Sequence, residues 1–383
     1  MGIIFSSFNG LEPKLRFKEF DGKWSRNILG NCCDIIMGQS PDSSSYNNNC
    51  IGLPLVQGNA DMCERIATPQ RYTSQPTKIC EAGSIILSVR APVGTVGKTF
   101  QKICLGRGVC GITSKNIEFM YQYLLNNENS WRHIEQGGTF TAINSDDIKS
   151  FPIILPSLPE QKKIADFLSL IDQRIEKQRQ LVENLKKYKR GLLSAIFDRK
   201  LRFKDTDFSL WKNVRLSECC LGFDNKRQPI SSELREKGTV PYYGANGIQD
   251  YVKDYIFDGE YILLAEDGGH FDEFQTKPIA QYITGKSWVN NHAHILQATE
   301  KDCTKYIYYA LVHKDIRKYI NGSSRAKLNQ EDMWQIVILL PNLKQQIKIA
   351  QFMSSIDKIL SIEEKMLTVL EEKKQGLLQQ MFI

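Results

Sequence analysis

Residues Leu155–Phe197 read LPSLPEQKKIADFLSLIDQRIEKQRQLVENLKKYKRGLLSAIF, and residues Leu340–Phe382 read LPNLKQQIKIAQFMSSIDKILSIEEKMLTVLEEKKQGLLQQMF, a gapless repeat 185 residues apart with seventeen of 43 positions identical. An internal repeat reports architecture before any single residue does. In the first copy apolar residues recur at Ile164, Leu168, Ile171, Ile175, Val182, Leu185 and Leu192, and in the second at Ile349, Met353, Ile356, Leu360, Leu367, Leu370 and Leu377. Steps of four and three keep such residues on one seam of a helix. Each copy therefore predicts a helix of roughly 36 to 40 residues, about 55 to 60 Å long at 1.5 Å per residue. Pro156 and Pro341 precede the helices, and Pro159 fits a first turn.

Both seams break at matching places, first at Gln178 and Glu363, then at Lys189 and Lys374. Polar residues in a coiled-coil seam cost stability but fix register and partner. The matched breaks predict that the two helices pair with each other, antiparallel in the simplest closed arrangement. Such a rod acts as a ruler between the domains it carries; a helical dimerisation hairpin with no measuring role is the equal alternative.

Outward from the helices the repeat continues more weakly. Leu15–Lys18 is LRFK, followed by Trp24 and Cys32-Cys33, and Leu201–Lys204 is LRFK again, followed by Trp211 and Cys219-Cys220. Gly137 and Gly322, Asn144 and Asn329, and Asp147 and Asp332 are also 185 apart. Each half opens alike, diverges, and closes alike. The expected organisation is a variable domain over 1–154, a helix over 155–200, a second variable domain over 201–339 and a second helix over 340–383.

Within the variable domains the pattern changes to short strands, such as Ser84–Arg90, Tyr261–Ala265 and His294–Leu296, cut by turn signals at Pro241–Gly244 and Asp267–Gly269. Helical stretches over Phe119–Glu135 and Lys301–Ile320 are expected to pack on each sheet. The fold class is α+β: two mixed, strand-rich domains joined by two long helices in an antiparallel coiled coil, with a pseudo-twofold repeat.

The chain has 383 residues, 42% of them hydrophobic and 24% charged, enough for several domains with proper cores and too apolar for disorder. Lys and Arg exceed Asp and Glu by seven, which favours a polyanionic partner, although many metabolic enzymes carry a similar excess. Ten cysteines without a CxxC pair fit free thiols in a reducing cytoplasm. There is neither a long apolar run nor a signal-peptide pattern, so no membrane partner is expected.

Catalytic constellations are mostly absent. Gly94-Thr95-Val96-Gly97-Lys98-Thr99 resembles the end of a phosphate loop, but Pro92 stands where its first glycine belongs. No dinucleotide fingerprint, nucleophile elbow or methylation tetrapeptide occurs. On a strand His292 and His294 would share one face, yet no third ligand is evident, so packing is the better reading and no metal is expected.

Loop residues of the kinds that contact bases and phosphates are plentiful. In the first domain they are Gln39, Ser40, Gln57, Asn59, Arg90, Arg107, Thr139 and Thr141, and in the second Lys226, Tyr243, Asn246, His270, Lys286, Asn290, Asn291, Arg325 and Lys327. Arg and Lys suit guanine, Asn and Gln suit adenine, and Ser or Thr suits phosphate. Any protein supplies such side chains singly; their clustering beside glycines, in loops that differ between repeated halves, gives them weight.

Leu155-Pro156 with Pro159-Glu160-Gln161-Lys162-Lys163-Ile164-Ala165 and then Leu170-Ile171-Asp172 resembles the central region of type I restriction-modification specificity subunits. The second copy departs in having Lys344-Gln345 for Pro-Glu, which should weaken the helix start without abolishing it. Ile86–Gly94, Gly244–Gly247 and Trp288–His294 are similar to stretches of target-recognition domains. The resemblance implies a non-catalytic subunit whose two domains each read one half of a split DNA site. It also implies that the paired helices set the spacer and dock two methylation subunits. S-adenosylmethionine, ATP and magnesium would then belong to partner subunits, the methylation subunits and the restriction subunits that translocate and cut, with double-stranded DNA as the shared target. A related modification system without ATP-driven cleavage, and a coiled-coil adaptor that binds no DNA, are the alternatives.

Overall fold

The computed structural model describes residues 3–5, 12–135, 142–201, 211–322 and 326–383. Its two long helices span Leu158–Phe197 and Leu343–Met381, 40 and 39 residues. They start at equivalent positions, so Lys344-Gln345 does not delay the second. Gln161 and Gln346 explain why: each donates its side-chain amide to the carbonyl of the proline five residues back, Pro156 at 3.0 Å and Pro341 at 2.9 Å.

The chain divides into two units, Met1–Gln178 with Met366–Ile383, and Arg179–Lys365. The division cuts both long helices, so each unit contains one variable domain with the beginning of one helix and the end of the other. In the first unit Ile164 and Leu168 share a core with Leu378, Met381 and Phe382. In the second, Leu193 and Ile196 share one with Ile349 and Met353. Within each unit the two helical segments therefore run antiparallel.

The first unit holds a six-stranded sheet in the order Cys33–Met37, Val109–Ser114, Ile85–Ser88, Val96–Lys98, Ile66–Ala67, Met62–Cys63, and a five-stranded sheet of shorter strands around Leu53–Val56 and Ile103–Leu105. Ile85, Ile86 and Leu87 are all fully buried. Ile85 and Leu87 face the main core, whereas Ile86 faces a smaller core with Val56, Ile103 and Leu105. A strand covered on both faces reads as a continuous apolar run. The second unit repeats this with Ile262 and Leu264 on one face and Leu263 on the other, in a sheet ordered Cys220–Gly222, Ala293–Ala298, Phe257–Ala265, Ala280–Val289, Lys237–Gly244, Gly247–Val252.

Each variable domain is closed by a two-stranded clasp just ahead of its long helix. Pro152–Leu155 pairs with Ser25–Ile28, and Val337–Leu340 pairs with Lys212–Arg215. The repeated Asn and Asp lie beside these clasps. Asn144 caps Ser145–Lys149 by accepting from Asp146 and Asp147 backbone N–H groups, and Asp147 accepts in return from Asn144. Asn329 takes the same N-cap position on Gln330–Trp334. The repeated Trp also has a role: Trp24 donates to Glu160 at 3.3 Å and Trp211 to Gln345 at 3.1 Å.

Several expectations need correction. The helix expected over Phe119–Glu135 is two, Ile117–Asn126 and Glu128–Glu135. Asn127 breaks it by bonding both its backbone and side-chain nitrogens to the Tyr123 carbonyl, a competition typical of Asn. The helix expected over Lys301–Ile320 is confined to Thr304–Leu311. There the Val312 carbonyl is taken by Ile279 N–H at 3.0 Å, and Asp315 draws the chain into a turn by accepting from Arg317 N–H. Pro241–Gly244 is the end of a strand, not a turn; it is paired on both edges, and the reversal falls at Ala245-Asn246. All ten cysteines are free thiols, and no helix among the described residues is long and apolar enough to cross a membrane.

Candidate nucleic-acid interface

In the first unit, Ser40, Gln57, Asn59, Arg90 and Arg107 line one cleft of about 590 Å³. Glycines let the backbones that carry them close together: a Cβ on Gly108 would lie 2.2 Å from the Gln57 carbonyl oxygen. Gln57 and Gly58 N–H groups both donate to Asp61 at 2.7 and 3.2 Å, which ties down that loop. The Gln57 side-chain amide donates to the Tyr46 hydroxyl at 2.9 Å, which donates to the Pro41 carbonyl at 3.2 Å. Arg107 N–H donates to the Ser40 hydroxyl at 3.2 Å. Gln39 stands beside this group but is not one of its walls; its backbone is bonded to Leu105 and Thr77. Thr139 and Thr141 lie outside the described residues.

In the second unit a smaller cleft of about 430 Å³ is lined by Asn246, Gln249, Asp267, Gly268 and His292. Asn246 Nδ2 donates to the Gly268 carbonyl at 2.8 Å, and among the described residues its oxygen has no hydrogen-bond donor. Asn290 is buried and works as a brace. Its amide donates to Gln249 at 3.1 Å, its side-chain oxygen accepts from His292 N–H at 2.8 Å, and its backbone N–H donates to Tyr243 at 3.0 Å. Burial, with Tyr251 adding to it, raises the Tyr243 phenol above its ordinary value. Lys226 and Lys286 are exposed and rest over the rings of Phe223 and Tyr255 at 5.1 and 4.4 Å. Asn291 is exposed, and its carbonyl accepts from Arg227. Lys327 pairs with Glu266 at 3.1 Å and His270 faces Glu273 at 3.9 Å, so each side chain already lies near a carboxylate. Arg325 lies outside the described residues.

His292 and His294 do not share a strand face. His292 precedes the strand that begins at Ala293 and meets Asp267. His294 is buried, with Nδ1 2.6 Å from Asp224 and Nε2 2.9 Å from the Leu328 carbonyl. Asp224, Glu266 and His294 offer ligand atoms within 4.8 Å of one another, a spacing a metal could use. Arg227 supplies the cation instead, 2.5 Å from Glu266 and 3.5 Å from Asp224. Burial pushes the Asp224 carboxyl up, but the His294 and Ile295 hydrogen bonds and the nearby cations outweigh it and hold the group below its ordinary value. Glu266 is likewise held low, burial being outweighed by Arg227, Lys327 and His294.

Sequence reading missed Tyr46, Gln249, Asp267 and His292 as walls of these clefts. The Asn246-Gly247 dipeptide was the available signal, since it marks a hairpin whose return strand carries Gln249.

The eighteen seam positions are all buried or half-buried: Ile164, Leu168, Ile171, Ile175, Gln178, Val182, Leu185, Lys189 and Leu192 on the first helix, and Ile349, Met353, Ile356, Leu360, Glu363, Leu367, Leu370, Lys374 and Leu377 on the second. Lys374 meets Asp172 at 2.5 Å, and Lys189 meets Asp357 at 2.6 Å.

Two strand-rich modules of one plan, with polar clefts of different composition and helices that close on each other, define a duplicated recognition protein. The chain belongs to the family of type I restriction modification DNA specificity domains, whose model matches residues 22–186 and again 209–372. A type I restriction enzyme specificity subunit of Methanocaldococcus jannaschii, MjaX, is 38% identical over 197 residues, covering 50% of this chain and 46% of that protein. A type I specificity subunit of Haemophilus influenzae is 37% identical over 151 residues, 39% of this chain and 38% of its own length. The chain thus spans less than half the length of both relatives. The crystal structure of the type I restriction-modification S subunit from M. genitalium superposes with a TM-score of 0.64 at 18% identity, covering 97% of this chain and 99% of that one, a likeness of fold.

Proposed function

We propose that this chain is the sequence-specific DNA-recognition subunit of a type I restriction-modification complex. The observation that carries the reading is the double family match, which falls once on each variable domain together with its polar cleft. Each domain reads one half of a split, asymmetric site, and because the clefts differ in composition the half-sites differ. The chain itself is non-catalytic. Methylation of adenine with S-adenosylmethionine belongs to two methylation subunits docked on the long helices, and ATP- and magnesium-dependent translocation and cleavage belong to restriction subunits. Its place of work is the cytoplasm, where the DNA is. The paired helices set the spacer between the half-sites.

The test is a genome-wide map of N6-methyladenine in cells carrying this chain with its methylation subunit, against cells lacking only this chain. A split motif that disappears with the deletion is the expected result. Unchanged methylation, with the chain expressed and assembled, would favour the adaptor reading, and a motif methylated without cleavage of unmodified DNA would favour a modification system lacking the restriction subunits.

A further inference from the structure

Arg90 and Arg107 stand just past the end of a β-ladder, one beyond each of its two strands. The antiparallel pairing of Ile85–Ser88 with Val109–Ser114 runs from Ile85 opposite Ile112 to Ser88 opposite Val109. The bond from Val89 N–H to the Gly108 carbonyl, 2.9 Å, carries the pairing one step further. There the ladder ends: Val109 N–H bonds the Gly106 carbonyl at 3.3 Å and closes a turn that carries Arg107, while Arg90 follows Val89 on the other strand. Both side chains are exposed and both line the first cleft. Among the described residues neither guanidinium has a carboxylate partner.

Two guanidinium groups that line one cleft repel each other. The fold tolerates that repulsion at a position where nothing in the core requires arginine, and a ligand rich in hydrogen-bond acceptors would relieve it. The backbone beneath is rigid. Arg90 is bridged to Ala142. Ser88 pins the strand end by donating to the Pro92 carbonyl at 2.7 Å and accepting from Thr95 N–H at 2.9 Å. The Arg107 turn lies against Gln57, where Gly106 and Gly108 have no room for a Cβ. Rigid support of this kind is what a reader of base edges needs, whereas a phosphate anchor needs only charge.

A guanidinium presents two parallel N–H donors that match O6 and N7 of guanine in the major groove. The second cleft is lined by Asn246, Gln249, Asp267 and His292, and the arginine behind it, Arg227, is held by Asp224 and Glu266. On the reading that the chain recognises DNA, we propose that Arg90 and Arg107 read guanine, so that the half-site of the first domain contains guanine contacted at O6 and N7.

The experiment uses the full chain assembled with its methylation subunits. The split motif is mapped for the wild type, R90K and R107K, and binding is measured on duplexes in which each guanine of the first half-site is replaced in turn by 7-deazaguanine. In the wild type, removing one N7 acceptor is expected to weaken binding at a guanine of that half-site only, by part of the roughly 5- to 150-fold that a whole bidentate pair supplies. R90K or R107K, which keep the charge but replace the planar fork with a single ammonium, are expected to relax that position and reduce its 7-deazaguanine penalty, with the other half-site unchanged. A first half-site without guanine, a wild type indifferent to 7-deazaguanine, or variants weakened equally on every sequence would overturn the assignment while leaving DNA recognition intact. A wild type without a split motif would overturn the recognition reading itself, and this inference with it.

Discussion

The Lys374 ammonium lies 2.5 Å from the Asp172 carboxylate, and 185 residues away in each partner the pair recurs as Lys189 and Asp357 at 2.6 Å. The two lysines are the polar interruptions of the apolar seams. Each acid also takes a bond from the sheet-packing helix of its own unit, Asp172 from Gln122 at 2.6 Å and Asp357 from the Tyr309 hydroxyl at 2.5 Å. One carboxylate thereby ties a variable domain to both long helices within its unit. The lysines are 16% exposed and the acids about a third. Solvent screening accordingly limits each ion pair to about 1 kcal/mol. Asp172→Ala is expected to cost somewhat more, because Gln122 also loses its partner, and a charge swap of Asp172 and Lys374 should recover part of the loss in chemical denaturation.

Arg16 and Glu160 form a deeply buried pair, with two parallel bonds of 2.7 and 2.8 Å and a third donor from Trp24. The hydrogen bond to Glu160 raises the Arg16 guanidinium above its ordinary value, against burial. Glu160→Ala strands that charge and should destabilise the first unit by about 3 to 5 kcal/mol. At the equivalent site Gln345→Ala removes a neutral bond to Trp211 and should cost about 1 kcal/mol. Comparable losses in thermal or denaturant unfolding would contradict this difference.

Asp224 and Glu266 carry a pH prediction. Both are held below their ordinary values in the folded chain, so their contribution is complete above the usual carboxylate range near about 4 and is lost as pH falls through the lower folded values. Thermal melting from neutral to acid pH should show the second unit losing stability below about pH 4, and Asp224→Asn should flatten that acid limb. An unchanged slope in the variant would remove Asp224 from the explanation.

Removing Asn246 and removing Lys286 should have different signatures. Asn246→Ala is expected to cost about 1 to 3 kcal/mol and relax one position of the second half-site. Lys286→Ala should weaken binding to all sequences alike and lower the salt slope by about one. An Asn246→Ala complex with an unaltered motif and affinity would take that residue out of base reading.

The ruler is tested by length. Deleting Gln173–Arg179 together with its counterpart Lys358–Glu364 removes about 10 Å from each helix and should shorten the spacer by about three base pairs without altering either half-site. A motif with the old spacer would refute it.

The seams were legible because a helix repeats its apolar face every three to four residues, and that signal survives in one dimension. Asp172 and Asp357 were not, since their importance comes from Lys374 and Lys189 on the other helix. The buried strands at Ile85–Leu87 and Ile262–Leu264 stood out as unbroken apolar runs. The clasp strand Lys212–Arg215 carries no such pattern, because it is largely exposed and defined only by its partner. At the clefts, residue type found Arg90, Arg107, Gln57 and Asn246. It also selected Asn290 and Lys327, whose hydrogen-bond and charge partners only folding brings near.

The division of the chain into units reverses the order in which the halves can be completed during synthesis. Arg179–Lys365 is one uninterrupted stretch, whereas the first unit needs Leu378, Met381 and Phe382 to fill its core. Domains generally fold as the ribosome releases them, the earlier before the later. Here the domain made first stays unfinished until the second long helix has been translated, and a premature stop after Lys365 would damage the fold of the domain farthest from it in sequence.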